Sequence, residues 1–153
     1  MKRSTVLKKS ELFSELDDKE LALVETMAEP IQVAVGDLVC KQGKKQDKIY
    51  IVEDGSMAIV LEVGLLAQRQ VQSARNFETF GWSAMVEPYI YTASVRATVT
   101  SRLLALKANR LRELCQNRPD IGCKIYRAIA RVVAKRLRES YEQLIGVTDE
   151  EVE

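Results

Sequence analysis

The stretch Phe80-Gly81-Trp82-Ser83-Ala84-Met85-Val86, followed by Thr92-Ala93-Ser94-Val95-Arg96-Ala97, decides the fold of this 153-residue chain. The first run sets a glycine before small residues that suit a short helix, and glycine lets backbone approach a ligand closely. N–H groups at a helix start attract an anion, and the Thr92 hydroxyl is a further donor beside them. In the second run Ala93, Val95, Ala97 and Val99 alternate with Thr92, Ser94, Arg96 and Thr98, the period of a half-buried strand. Residues 81–84 read either as an anion nest or as a turn kept for structure alone.

Upstream, short β-type segments are separated by turn residues. Ile31, Val33 and Val35 alternate before Gly36-Asp37; Leu38-Val39-Cys40 precedes Gly43; Ile49-Tyr50-Ile51-Val52 precedes Asp54-Gly55, a hairpin signal; residues 57–61 and, more weakly, 68–73 continue the series. Residues 101–106 form the last strand. Before these, Phe13, Leu16, Leu21, Leu23, Val24 and Met27 recur at helical spacing, Asp17-Asp18 suits an N-cap, and Pro30 is expected to stop the helix. After Ala108 the period becomes helical again. Leu111, Leu114 and Cys115 mark a short helix ending before Pro119, and Ile121, Ile125, Ala128, Ile129 and Val132 share one face of a longer one. The expectation is one domain over residues 1–153: N-terminal helices about 10–29, an antiparallel β-roll of double-stranded jelly-roll type about 31–107, and two C-terminal helices about 108–145.

Composition excludes several functions. The chain has no histidine, which removes the commonest general base and transition-metal ligand. Its three cysteines, Cys40, Cys115 and Cys123, lack CxxC spacing and fall short of a four-thiolate zinc site. Nucleophile-elbow, Walker and dinucleotide motifs are missing, so an enzyme, a catalytic residue and a metal site are not expected. No apolar run approaches the ~20 residues of a membrane helix, and the first residues lack the apolar core of a secretory signal; a cytoplasmic protein with reduced thiols is expected. A formal net charge of +1 gives no global attraction to nucleic acid or membrane.

Residues 80–97 resemble the phosphate-binding cassette of cyclic nucleotide-binding domains, roughly F-G-E-L-A-L…P-R-S/T-A-T-V-x-A. Gly36-Asp37, Gly43, Tyr50-Ile51-Val52 and Gly55-Ser56 match further landmarks of that family in order, so the resemblance spans about residues 12–138. It implies a ligand-binding set of Gly81, Trp82, Ser83, Ala84, Tyr91, Thr92 and Ala93. It also implies that no cofactor is required and that a nucleotide or another small anionic ligand enters the pocket. Two positions depart from the pattern. Trp82 replaces the acid that accepts from the ribose 2′-hydroxyl, and Tyr91 replaces the arginine that pairs with the cyclic phosphate. These aromatics either stack on a base or fill the vacated space. Arg96 replaces the lost cation only if its face of the strand looks into the pocket.

A stand-alone sensor or regulatory module with weak or non-standard nucleotide binding is the first expectation. The alternative is a degenerate interaction module dimerising through its last helix. A third and less expected reading is a truncated DNA-binding regulator of the cAMP receptor protein type, since the about eight residues after Ile145 are too few for a recognition helix and its support. A homodimer is expected through the C-terminal helix, with Ile125, Ile129 and Val132 as the seam and Arg136 reaching its edge or pairing with Glu139 or Glu142. The stripe of Lys124, Arg127, Arg131, Lys135 and Arg138 reads as a solvated face or as a site for an acidic partner.

Overall fold

In the computed structural model, which describes residues 2–45 and 47–146, eight antiparallel strands form two four-stranded sheets flanked by helices at both ends of the chain. Helices α1 (Arg3–Lys9) and α2 (Asp18–Glu25) come first, then β1 (Ala28–Val33), β2 (Leu38–Cys40), β3 (Lys48–Asp54), β4 (Met57–Val63), β5 (Ala67–Ala74) and β6 (Thr79–Phe80). A 3-10 turn (Trp82–Met85), β7 (Ser94–Ala97), β8 (Ser101–Lys107), α3 (Ala108–Asn117) and α4 (Pro119–Ile145) complete the order. One sheet runs β1-β8-β3-β6 and the other β2-β7-β4-β5.

Strands β3 and β8 carry near-continuous apolar runs because they lie inside their sheet and are covered on both faces. Ile49, Ile51, Val52, Leu103, Leu104 and Leu106 are all buried, each worth ~1.5–3 kcal/mol relative to exposure. The Asp54-Gly55 signal does not close a hairpin. β3 and β4 belong to different sheets, and the turn carries the chain across the roll. Gly55 is required there by space: with φ at 138°, an added Cβ would lie 2.0 Å from Ser101 Oγ. The two-strand hairpin is instead β4–β5, paired from Met57↔Ala74 to Val63↔Ala67.

The N-terminal section divides differently from the expectation. Its first helix is residues 3–9, residues 11–15 turn, and α2 starts at a capping box in which Glu20 N donates to Asp17 Oδ1 at 2.8 Å and Asp17 N to Glu20 Oε1 at 2.9 Å. The helix ends before Pro30, which lies within β1. Proline is tolerated there because β1 is an edge strand.

Helix α4 begins at Pro119, where proline suits the first turn. Ile125, Ile129 and Val132, expected as a dimer seam, are 0%, 5% and 3% exposed and belong to the domain's own core. The basic stripe faces the N-terminal section and the segment between β5 and β6. Lys124 Nζ meets Glu20 Oε1 at 2.9 Å, Arg131 Nη2 meets Glu15 Oε1 at 2.9 Å, and Lys135 Nζ meets Glu78 Oε2 at 3.4 Å. These part-exposed pairs add little stability each but orient α4 against the roll.

Candidate functional site

A cavity of about 320 Å³ lies between the β2-β7-β4-β5 sheet, the 3-10 turn and α4. Its entrance turn is set by Gly81, at φ 79° and ψ 10°. A Cβ at Gly81 would stand 3.1 Å from Lys48 O and 3.4 Å from Tyr91 Cε1, so backbone and ring both crowd this point. The helical stretch after it is a single turn of four residues. So short a turn carries no summed helix dipole, and its Ala84 and Val86 N–H groups donate to Gly81 O and Ser83 O.

Six of the seven expected residues reach the cavity wall: Gly81, Trp82, Ser83, Tyr91, Thr92 and Ala93. Ala84 lies beneath it, fully buried, and its carbonyl accepts from Arg112 Nη1 at 2.5 Å. Tyr91 is 2% exposed, and its hydroxyl donates to Lys48 O at 2.6 Å. Tyr91 thus packs its ring into the cavity wall with its hydroxyl engaged. Its backbone is equally committed: Gly43 N donates to Tyr91 O at 2.9 Å and Tyr91 N to Lys44 O at 3.1 Å. Trp82 is half-buried, packs on the core and keeps part of its ring at the wall. Arg96 does not replace the missing cation; its Nη1 donates to Gly36 O at 2.8 Å, away from the cavity.

The wall chemistry is quiet. Burial pushes the Cys40 thiol up to about 12 against a hydrogen bond with Tyr91 that lowers it, and burial likewise pushes Tyr50 up to about 12. Burial also raises Tyr91. Cys40 is therefore a neutral thiol at ordinary pH, suited neither to nucleophilic attack nor to metal binding. Among the described residues no group of His, Cys, Asp or Glu could hold a metal ion.

Three further residues position the site, and of these the sequence pointed only to Arg136, at the edge of a dimer seam. Arg112 holds Ala84 O and lies over the Tyr89 ring at 4.1 Å; Tyr126 hydroxyl donates to Met85 O at 3.3 Å. Together they fasten the 3-10 turn to α3 and α4. The third is Arg136, which lines the cavity from α4. It is 6% exposed and donates from Nη1 to Ser73 O at 2.9 Å, with Glu78 Oε2 4.0 Å from Nη2, instead of pairing with Glu139 or Glu142. A signal existed: residue 136 continues the buried phase of Ile125, Ile129 and Val132, where an arginine is unusual.

Two curated relatives match most of the chain. A protein of Rhodopseudomonas palustris named as a candidate potassium channel protein is 27% identical over 142 residues, 93% of this chain and 34% of its own length. The CRP-like cAMP-activated global transcriptional regulator of Mycobacterium tuberculosis is 22% identical over 139 residues, 91% of this chain and 60% of its own. The chain thus spans about a third and about three fifths of these relatives. Among solved structures, a candidate cyclic nucleotide-binding protein of Geobacter metallireducens superposes with a TM-score of 0.79 at 26% identity, covering 90% of this chain and 99% of that one. A cyclic nucleotide-binding domain of Methylobacillus flagellatus gives 0.80 at 17% identity, covering 93% and 80%, a likeness of fold. Residues 30–118, more than half of the chain, match the cyclic nucleotide-binding domain family, and with the roll, cassette turn and closing helix in place, the chain belongs to that family.

Proposed function

We propose that this domain is a regulatory module that senses a small ligand in the cavity between the β-roll and α4, and that it binds cyclic AMP weakly or not at all. The observation that carries the reading is Tyr91, whose ring fills the position of the family's arginine and whose hydroxyl is engaged by Lys48 O at 2.6 Å. Losing a bidentate charged pair at ~1.5–3 kcal/mol per hydrogen bond weakens a cyclic phosphate by roughly 10³-fold. The engagement of Lys124, Arg131 and Lys135 by acids of the same chain argues against nucleic acid as the partner. No helix among the described residues is long and apolar enough to cross a membrane, in keeping with cytoplasmic action. Isothermal titration calorimetry with cyclic AMP is the test: an affinity weaker than micromolar is expected, and sub-micromolar binding refutes the reading.

The second part of the proposal is a homodimer through α4, on a different face from the one the sequence pointed to. Tyr126, Val133, Leu137, Tyr141 and Leu144 are 39%, 38%, 49%, 57% and 82% exposed, and with Cys123 and Ala130 they repeat at three- and four-residue steps along one stripe. That spacing suits a two-helix seam, and a two-fold contact would cover the stripe of both copies. This stripe also favours the alternative reading, an interaction module working through its helix.

A further inference from the structure

Arg136 is the one charged side chain on the cavity wall among the described residues. The rest of that wall is largely apolar, with Phe80, Trp82, Tyr91, Val133 and Leu137 prominent. Its polar members are neutral, and Gln72 is already committed, donating from Nε2 to Arg136 O at 2.9 Å. The guanidinium is only partly satisfied. Nη1 donates to Ser73 O, while Nη2 is buried without a hydrogen-bond partner. Glu78 Oε2 stands 4.0 Å from Nη2, outside hydrogen-bond range, and the same carboxylate serves Lys135 Nζ at 3.4 Å and Arg75 N at 2.9 Å. A buried cationic donor lacking an acceptor is costly, and a turn of this side chain toward the cavity it lines would give the donor an anion there.

We propose, building on the sensing reading above, that the cavity takes a compact apolar acid, one anionic group on an aromatic or aliphatic body, and that Arg136 is its anion anchor. The acid group accepts from the guanidinium. The body covers the aromatic and aliphatic wall, and its desolvation drives binding. The anchoring charge thus comes from α4 instead of from the cassette position that Tyr91 occupies. A cyclic nucleotide fits this wall poorly: its ribose hydroxyl finds no carboxylate acceptor there, since no acidic side chain lines it among the described residues.

The test uses the full chain with 4-phenylbutyrate, indole-3-acetate and octanoate, each against its own amide, and with cyclic AMP and cyclic GMP in parallel. Thermal shift and calorimetry are the readouts. At least one acid should bind, and its amide should bind about 30-fold more weakly, the effect of one charge-assisted hydrogen bond. Arg136→Gln should bring the acid down to the level of the amide and leave the amide unchanged, while Arg136→Lys should retain part of the preference. Circular dichroism checks that each variant folds; should Arg136→Gln not fold, the acid–amide comparison on the native chain decides. Equal binding of acid and amide overturns the anchor. If a nucleotide binds and no acid does, the anchor fails while the sensing reading stands. If neither class changes stability, both fail.

Discussion

Replacing Tyr91 with phenylalanine removes one oxygen and leaves the ring that plugs the cassette. The ring is 2% exposed, the hydroxyl donates to Lys48 O at 2.6 Å, and burial keeps that hydroxyl protonated well beyond neutral pH. The variant loses a neutral hydrogen bond and leaves a carbonyl less well satisfied, which together should cost ~1–2 kcal/mol. For a chain of this size each kcal/mol moves Tm by ~2–4 °C, so a fall of about 3–6 °C is expected. Tyr91→Ala removes the ring as well, and an aromatic-to-alanine cavity costs ~3–5 kcal/mol. That is a large part of a typical domain stability of ~5–15 kcal/mol. Differential scanning calorimetry and urea titration measure both variants on the same scale. The double change Trp82→Glu with Tyr91→Arg then tests the converse: cyclic AMP should raise its Tm more than that of the native chain, because binding to the folded state alone adds RT ln(1 + [L]/Kd). If Tyr91→Phe lies within ~0.3 kcal/mol of the native chain and Tyr91→Ala costs less than ~1 kcal/mol, Tyr91 is not a structural plug. The case against cyclic phosphate binding would then lose its footing.

Alkaline pH should destabilise the fold early. Burial raises Cys40 from 9.0 to about 12 and Cys115 from 9.0 to about 11, so between these limits the unfolded chain has released protons that the folded one retains. Stability is complete below pH 9 and falls as pH rises, by ~1.4 kcal/mol per pH unit for each such thiol; urea titrations of Cys40→Ala should show a shallower fall than the native chain over pH 9 to 11, and an identical fall would contradict the burial argument. On the surface, Ala130→Glu lies on the exposed stripe and should convert a dimer to a monomer in light scattering while the chain stays folded, with Tm lowered only by what dimerisation contributes. Ile129→Asp, at a position 5% exposed, should unfold the domain instead. If the two α4 helices pair in parallel, mild oxidation should link copies through exposed Cys123, which Cys123→Ser abolishes, whereas Cys40 and Cys115 are buried. Absence of any native dimer at micromolar concentration would remove the seam.

Local chemistry made much of this fold legible. The Asp17 cap, the helix break at Pro119 and the apolar runs of β3 and β8 all depend on neighbours close in sequence. What escaped depends on partners far along the chain. The Asp54-Gly55 pair announces a turn but does not say which sheet the next strand joins; the contact with Ser101 does. The α4 sequence offers apolar residues on two faces. Periodicity identifies Ile125-Ile129-Val132 and Tyr126-Val133-Leu137 alike, and only the packing of the roll shows that the first is core and the second exposed. The same limit applies to charge. Lys124, Arg131 and Lys135 look like a basic stripe until the fold places Glu20, Glu15 and Glu78 against them. At the site, the sequence reading named six residues that reach the cavity wall and set Arg136 at a dimer edge instead, because Arg136 enters the cavity only through the docking of α4 on β5.

That docking gives α4 two tasks in one segment. Val133 and Leu137 line the cavity and are also 38% and 49% exposed on the stripe proposed as the dimer seam. The same helix is tied to the cassette turn by Tyr126 on Met85 O and to β5 by Gln72 on Arg136 O and Gln143 on Val71 O. A ligand that repositions this segment therefore changes the surface a second copy would meet. Linkage requires the reverse as well: whatever factor the ligand applies to dimerisation, dimerisation applies to the ligand, typically ~5–150-fold for couplings of ~1–3 kcal/mol. Ala130→Glu isolates this effect, since residue 130 lies on the stripe and not on the cavity wall. With an acid that binds the native chain as the probe, the bound ligand should shift the sedimentation equilibrium of that chain, and its Kd should differ between the native chain and the Ala130→Glu monomer. Equal affinities for both would mean that the cavity and the seam act independently, and the helix would then close over a pocket without reporting its contents.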